Sequence, residues 1–143
     1  MTIWFDAKSL PATPYAPAFG TLSHHLGIVV TEFLEDGVVA TLPVDERTRQ
    51  VVGLLHGGAS VALAETLMSF GAICTVDKRK FSVVGLEINA NHLRGVREGH
   101  VTGTAKPLHL GRSTQVWTCE IRDVEGNLVC SSRMTISVLE RKV

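Results

Sequence analysis

The feature that most constrains the fold is one long apolar segment in a chain that otherwise shows β-strand signals. Residues 51–74 read VVGLLHGGASVALAETLMSFGAIC, and their length and spacing predict a helix from about Gly57 to Thr75. Apolar residues occupy almost every side of this helix, so nearly its whole surface needs to be buried. A sheet that curves around the helix provides that burial.

Six β-rich runs flank the predicted helix, two before it and four after it. The first two, GIVVTEFL and VVATLPV, are separated by Glu35, Asp36 and Gly37, an Asp-Gly turn typical of a hairpin. After the helix come FSVVGLEINANHL, HVTGTAKPLHL, STQVWTCEIRD and LVCSSRMTISVL. Alternation in the first of these predicts a strand face formed by Ser82, Val84, Leu86, Ile88, Ala90 and His92. The order predicts an α+β fold in which a curved, mostly antiparallel sheet of about six strands wraps around one long central helix.

Length and composition fit one globular domain preceded by an irregular arm. The chain has 143 residues, of which 45% are hydrophobic and 20% charged. Residues 1–20 contain Pro11, Pro14 and Pro17, and each proline fixes φ and removes a backbone donor. We therefore expect an irregular N-terminal arm over residues 1–20, with at most a short helix, and a single domain over residues 21–143.

The charge balance argues against several classes of function. Fourteen basic and fourteen acidic side chains cancel, which predicts neither nucleic-acid binding nor attraction to an anionic membrane. The start of the chain lacks the pattern of a secretory signal, and we expect a cytoplasmic protein. Cys74, Cys119 and Cys130 fit reduced core thiols, and the scattered histidines give no chelating spacing, so we expect no metal and no cofactor.

One carboxylate, Glu65, interrupts the apolar helix. A stripe of small residues includes it, namely Gly58, Ala62, Glu65, Ser69 and Ala72, and small residues let a second helix, a second subunit or a substrate approach closely. We expect Glu65 to be buried, which is costly for a charge without a partner. One interpretation is a structural pair with a buried arginine or with backbone donors. The other is a catalytic carboxylate, with Ser69 one turn away to orient it or to hold a water.

His56, Gly57 and Gly58 stand at the expected start of the same helix. Backbone N–H groups there lack helical acceptors, and glycine would let a carbonyl oxygen reach them, as an oxyanion hole requires. A tight turn into the helix would also explain the two glycines. Gly57 and Glu65 are eight residues apart, or roughly 12 Å along a helix, too far to act on one carbonyl. If both are catalytic, the site joins two subunits of a two-fold dimer.

Three motifs together resemble a known family. HGG with a glutamate nine residues after the histidine, NANHLRG and HLGRST resemble the hot-dog acyl-CoA thioesterases of the PaaI-like group. Within that group the similarity is greatest to the bacterial 1,4-dihydroxy-2-naphthoyl-CoA hydrolases and enterobactin proofreading thioesterases. It covers residues 20–139 and implies the hot-dog fold, in which a sheet wraps one helix, and homotetramers built from dimers.

The resemblance also implies roles for individual residues. Glu65 would be the nucleophile or the general base, and the Gly57 N–H would polarise the thioester carbonyl. His56 and Gln50 would position the thioester, and Ser69 would assist the hydrolytic water. Substrate or coenzyme A would contact Gly85, His92, Leu93, Arg94, Gly95, His109, Leu110, Gly111, Arg112, Ser113 and Thr114. Met68 and Phe70 are larger than is usual near the serine, and Val51 and Val52 replace a common Pro-Phe, which indicates an altered acyl pocket. Arg94, Arg97, Lys106 and Arg112 could also be ordinary solvated surface residues without a binding role. Among them Arg112 is the strongest candidate for binding coenzyme A.

The sequence therefore predicts hydrolysis of an aromatic or medium-sized acyl-CoA or acyl-carrier-protein thioester. An acyl-CoA hydratase or dehydratase of the same fold is one alternative, in which His56 would move protons at adjacent carbons. A non-catalytic acyl-CoA sensor is another, and it would have little use for Glu65 beside Ser69. The last alternative is that these residues have a purely structural role.

Overall fold

The computed structural model describes residues 1–142, and its sheet and central helix confirm the predicted hot-dog arrangement. Two helices, α1 (Leu22–Leu26) and α2 (Gly57–Cys74), accompany the sheet, and a turn of 3-10 helix covers Ala7–Ser9. The strands are β1 (Val29–Leu34), β2 (Gly37–Pro43), β3 (Phe81–His92), β4 (His100–Leu110), β5 (Thr114–Arg122) and β6 (Leu128–Glu140). They form one antiparallel sheet in the order β1-β2-β4-β5-β6-β3. The sequence did not predict α1.

The central helix α2 fills the concave side of the sheet. Leu63, Leu67 and Met68 are at most 1% exposed, and five of the six strands contact the helix. Length and composition would also suit a membrane span, but half of α2 is buried inside this fold, as expected for a core helix. The absence of a side chain at Gly71 lets the buried Trp117 ring pack directly on the helix, where a Cβ would lie 2.7 Å from the ring.

Strand β3 contains a bulge that changes which residues face the helix. Its register against β6 shifts between Gly85 and Glu87, so Leu86 has no partner residue. Val83 before the bulge and Ile88 and Ala90 after it pack against the core, whereas Leu86 is 64% exposed. The predicted single face from Ser82 to His92 is therefore wrong in its first half, because one extra residue reverses the alternation.

The N-terminal arm covers the outer edge of β1. Tyr15 and Val30 exchange both backbone hydrogen bonds, at 2.8 and 2.9 Å, and the Phe5 N–H donates to the carbonyl of Cys74. Trp4 is buried, and its indole N–H donates to the Leu34 carbonyl at 2.8 Å. The opposite edge, β3, pairs with β6 and with no other strand among residues 1–142, and it carries the exposed apolar side chains of Val84 and Leu86.

Candidate active site

The start of α2 leaves one backbone N–H without an acceptor among residues 1–142. His56 precedes the helix in an extended conformation, and its Nδ1 accepts from the Gly58 N–H at 2.8 Å. The N–H groups of Ala59 and Ser60 both donate to the His56 carbonyl. Among residues 1–142, no acceptor pairs with the Gly57 N–H, so this donor stays open at the positive end of the helix dipole. Because Nδ1 of His56 is an acceptor, the neutral ring carries its proton on Nε2, where it can donate outward.

A buried threonine fixes the approach of the chain to that helix start. Thr48 is 1% exposed, its hydroxyl donates to the Pro43 carbonyl at 2.7 Å, and its carbonyl accepts from the His56 N–H at 2.8 Å. The Gln50 side-chain oxygen accepts from the Val52 N–H, which leaves the amide N–H groups of Gln50 available. The sequence reasoning missed Thr48, whose burial only the fold reveals.

Six of the predicted site residues line one pocket of about 430 Å³ at the helix start. They are Gln50, Gly57, His92, Leu93, Arg94 and Gly95. His92 lies directly over Gly57, where a Cβ would lie 2.9 Å from the imidazole Nε2. Ser60 also lines the pocket although the residue is only 2% exposed. It was not predicted, because a serine in a first helical turn gives no distinctive sequence signal.

The predicted burial of Glu65 is wrong for the single chain. Glu65 is exposed, and within residues 1–142 its carboxylate has neither a hydrogen bond nor an ion pair. A Cβ on Gly85 would lie 3.6 Å from Oε1 of Glu65 and would collide with the methyl group of Met134. The Ser69 hydroxyl lies 4.0 Å from the same methionine sulfur. Glu65, Ser69 and Gly85 therefore form a second group around Met134, with the carboxylate facing outward.

The predicted segment 109–114 lies near this second group. It forms the turn between β4 and β5, and the Ser113 carbonyl accepts from the Val138 N–H at 2.9 Å. Gly85 pairs with Ile136, which pairs with Gln115, so the turn is two strands away from Gly85, roughly 10 Å across the sheet. His109, Leu110, Arg112, Ser113 and Thr114 are exposed, and Gly111 is half-buried.

The predicted site residues thus divide into two halves that lie at opposite parts of β3. The helix-start half comprises Gln50, His56, Gly57 and residues 92–95. The carboxylate half comprises Glu65, Ser69, Gly85 and residues 109–114. Gly85 and His92 are seven residues apart along β3, or roughly 23 Å. Within one chain the two halves do not meet.

An apolar pocket of about 380 Å³ opens beside Ser69 and Thr66 in the carboxylate half. Its walls include Tyr15, Phe70, Ile73 and Val83, and the rings of Tyr15 and Phe70 stack at 5.5 Å with an interplanar angle of 3°. Phe70 was a predicted pocket residue, and Tyr15 was missed because the proline-rich arm has no recognisable pattern. Met68 has no exposed surface and belongs to the core, so it does not line this pocket.

None of the three thiols is suited to nucleophilic attack. Cys74, Cys119 and Cys130 are free and buried, as expected from the sequence. Burial, together with the neighbouring Cys130 thiol, raises the pKa of Cys119 to about 12. Burial also raises the pKa of Cys74 and of Cys130. The attacking thiolate is therefore scarce at neutral pH, and none of these cysteines is a candidate nucleophile.

Comparisons with known proteins agree with this architecture. Residues 52–130 match the family model of the thioesterase superfamily. The chain belongs to the thioesterase superfamily. It is 54% identical over 121 residues to the 1,4-dihydroxy-2-naphthoyl-CoA hydrolase of Escherichia coli, covering 84% of this chain and 88% of that protein. It is 49% identical over 137 residues to the proofreading thioesterase EntH of Cronobacter sakazakii, covering 96% and 98%.

A solved structure extends the agreement to three dimensions. A thioesterase from Haemophilus influenzae superposes with a TM-score of 0.83 at 51% identity, covering 85% of each chain. With family, fold and close relatives in accord, this chain is a thioester hydrolase. Within one chain of this thioesterase the two groups of predicted site residues remain apart.

Proposed function

We propose that this thioesterase hydrolyses acyl-CoA or acyl-carrier-protein thioesters at sites shared by two subunits. The observation that carries the proposal is the separation of Glu65 from the open Gly57 N–H by roughly 12 Å along α2, with both groups beside β3. A carbonyl needs the oxyanion donor and the attacking group within about 3 Å of itself. Each group therefore needs a counterpart from a second copy of the chain.

Antiparallel pairing of β3 with β3 of a second copy would supply that counterpart. The strand is a bare edge with exposed Val84 and Leu86, and an unpaired edge is a template for another strand. A two-fold axis across this edge reverses the second strand, and a register centred between Ile88 and Asn89 would bring Gly85 of one copy to His92 of the other. Glu65 is beside Gly85, and Gly57 is beside His92. Pairing therefore brings the carboxylate half of one subunit to the helix-start half of its partner, twice per dimer.

The assembled groups suffice for thioester hydrolysis. The Gly57 N–H donates a hydrogen bond to the carbonyl oxygen and so stabilises the negative charge that develops there. Glu65 either removes a proton from a water that attacks the carbonyl carbon, or attacks that carbon itself to form an anhydride that water then opens. The C–S bond breaks as the tetrahedral species collapses, and the departing thiolate takes up a proton. His56 through Nε2 and Gln50 through its amide would orient the thioester, and Ser69 would hold the water.

The apolar pocket beside Ser69 is the proposed acyl site. Its lining is dominated by apolar atoms, and a stacked Tyr15–Phe70 wall suits a flat aromatic acyl group. The named relatives include a hydrolase for a naphthoyl thioester, which agrees with that chemistry. Residues 92–95 and 109–114 would bind the pantetheine arm and the nucleotide. We further propose that the protein forms a homotetramer, is located in the cytoplasm and needs no cofactor.

Release of free thiol from a panel of acyl-CoAs tests the function. Aromatic acyl groups should be the best substrates, and Glu65→Gln should lower turnover by about 10³-fold or more, because removal of the base or nucleophile leaves only the oxyanion contact. Circular dichroism should be unchanged, since the Glu65 side chain makes no hydrogen bond or ion pair within residues 1–142. Undiminished turnover in Glu65→Gln would refute the assigned role.

A further inference from the structure

One buried hydroxyl faces the pocket at the start of α2 without a hydrogen-bond partner. Ser60 is only 2% exposed, yet it lines this pocket of about 430 Å³, the helix-start pocket. Among residues 1–142 its hydroxyl makes no hydrogen bond, and the proposed hydrolysis does not use it. Burial of a polar group without a partner is unfavourable, so nearly all such groups in native proteins bond to the protein, to a water or to a ligand. An occupant of the pocket is therefore expected to bond to Ser60.

The other polar groups on the walls of this pocket are bonded or less buried. The backbone N–H groups of Leu93 and Arg94 both donate to the Val129 carbonyl, and the Leu55 N–H donates to the Val96 carbonyl. The remaining polar side chains that line the pocket are half-buried or exposed, so water can reach them. The hydroxyl of Ser60 is therefore the group whose hydrogen bonding depends most on what enters the pocket.

The position of Ser60 on α2 decides which part of a bound thioester it can reach. Ser60 comes three residues after Gly57, so the two lie on one face of the helix and roughly 4.5 Å apart along its axis. A carbonyl oxygen bonded to the Gly57 N–H lies about 2.9 Å beyond the helix start, on the side away from Ser60. One oxygen cannot then bond to both groups, so Ser60 is not a second oxyanion donor.

The group that Ser60 can reach lies on the thiol side of the substrate. In coenzyme A and in a carrier-protein arm alike, two methylene groups and then an amide follow the thioester sulfur. The amide nitrogen is four bonds from the carbonyl carbon, roughly 5 Å in an extended chain, which matches the offset of Ser60 from Gly57. Leu54, Leu55 and Val129 give the pocket apolar walls that suit the two methylene groups.

We propose that the Ser60 hydroxyl accepts a hydrogen bond from the amide N–H nearest the thioester sulfur, and so selects thiols that contain this amide. The inference rests on the proposed function and deepens it, because it adds recognition of the thiol that the two catalytic groups do not supply. The contact holds the sulfur at a fixed distance from the Gly57 N–H of the same subunit. It serves coenzyme A and a carrier-protein arm equally, since both contain the amide.

The experiment compares two small substrates that differ only at the amide nitrogen. S-Benzoyl-N-acetylcysteamine contains the amide, and in its ketone analogue a methylene group replaces the N–H. Wild type should prefer the amide by roughly tenfold in kcat/KM, because the ketone leaves a buried hydroxyl unbonded. Ser60→Ala should lower kcat/KM for the amide by about the same factor, mainly through KM. It should leave the ketone within about twofold of wild type or better, because both bonding partners are then absent.

Ser132→Ala is the matched control, because it also removes the hydroxyl of a buried serine. Ser132 is 4% exposed, but its hydroxyl donates to the Cys119 carbonyl inside the sheet, and the residue does not line the helix-start pocket. This variant should keep the wild-type preference for the amide. Equal losses on both substrates in Ser60→Ala would show that the residue only shapes the pocket. A lower kcat on both with KM unchanged would place it at the carbonyl instead, and either result would overturn the inference.

Binding without turnover separates this inference from the proposed hydrolysis. The S-phenacyl thioethers of the same two thiols contain no thioester bond, and NMR titration gives their dissociation constants. Wild type should bind the amide thioether roughly tenfold more tightly than the ketone thioether, and Ser60→Ala should bind the two equally. A protein that hydrolyses no thioester yet shows this difference would refute the proposed function and support the contact. Equal binding of the two by wild type, or no binding of either, would overturn the contact whatever the rate of hydrolysis.

Benzoyl-CoA and a benzoyl carrier protein show which thiol supplies the amide. Ser60→Ala should lower kcat/KM by roughly tenfold on whichever of the two the wild-type enzyme hydrolyses faster. A loss of less than about twofold on that substrate would also overturn the inference, because a hydrogen bond to its amide would then contribute nothing.

Discussion

The two edge strands of the sheet have the same kind of irregularity but opposite surroundings. Each contains one bulge, at Thr31 in β1 and at Leu86 in β3, and both bulged residues are exposed. The N-terminal arm pairs with β1 at Tyr15, whereas β3 lacks any second partner among residues 1–142. The bulged residue is polar on the covered edge and apolar on the bare one. The chain therefore protects the first edge itself and leaves the second suited to a partner.

This difference also explains why the site looks incomplete. The two groups proposed to act on the thioester carbonyl lie along the bare edge, with Gly57 toward the end of β3 and Glu65 nearer its beginning. The proposed acyl pocket touches both edges, because Tyr15 of the arm and Val30 of β1 line it together with Val83 of β3. If the site is shared as proposed, a single chain binds only parts of the substrate, and catalysis requires the second copy.

The largest expected effect comes from placing a charge on the bare edge. Leu86→Lys would put an unpaired ammonium group into each half of the strand interface, and burial of a charge without a partner costs several kcal/mol. We expect monomers in sedimentation experiments and a loss of about 10³-fold in turnover, because each monomer lacks half a site. Thr31→Lys places the same charge at the equivalent bulge of β1. It should keep the wild-type assembly and activity, and a monomeric enzyme with full activity in Leu86→Lys would contradict the shared site.

A smaller loss should follow from removing the Gly57 N–H alone. Proline suits the first helical position, and the extended His56 before it, with ψ of 131°, is the conformation that proline favours in its neighbour. Gly57→Pro should lower kcat by about 10²–10³-fold, the usual cost of one oxyanion donor. Gly57→Ala adds a Cβ near His92 but keeps the N–H, so it controls for bulk. Equal kinetics in the two variants would show that the N–H has no catalytic role.

Mixing variants tests where the halves meet. Gly57→Pro and Glu65→Gln chains, co-expressed with different tags and purified through both, would form dimers with one doubly altered site and one intact site. Activity should rise well above either parent, toward about half of wild type. A site formed within one chain predicts no recovery, because every chain would carry one defect.

Local sequence patterns were enough to predict the elements of the fold. The apolar segment predicted α2 to within one residue at its C-terminal end, and the alternating runs predicted all six strands. The bulge at Leu86 escaped prediction, since a single extra residue leaves the composition of a strand unchanged. Helix α1 was missed because its five residues are too few to show a periodic pattern.

The site was predictable in its residue types but not in its arrangement. HGG and the spacing to Glu65 indicated two separated groups, and the structure places Gln50 and residues 92–95 with the first of them. Burial of Glu65 was wrong because it was inferred from the apolar sequence around it, whereas its side of α2 faces the bare edge. The order of the strands in the sheet decides which segments lie at the same end of β3. Local sequence patterns do not predict that order.

The smallest effect we predict concerns the covered edge. The Tyr15 side chain is half-buried and stacks on Phe70, so Tyr15→Ala should lower the free energy of unfolding by about 1–3 kcal/mol. The backbone bonds to Val30 do not require the ring, so the dimer should persist. Chemical denaturation followed by fluorescence measures the stability, and kinetics with aromatic and aliphatic acyl-CoAs measure the pocket.

Tyr15→Phe is the control, because it keeps the stacked ring and removes only a hydroxyl that makes no hydrogen bond within residues 1–142. It should match wild type in stability and in KM, whereas Tyr15→Ala should raise KM selectively for aromatic acyl groups. If Tyr15→Ala instead dissociated the dimer while Leu86→Lys did not, the roles assigned to the two edges would be reversed. The arm would then belong to the interface, and the bare strand would need another explanation for its exposed apolar residues.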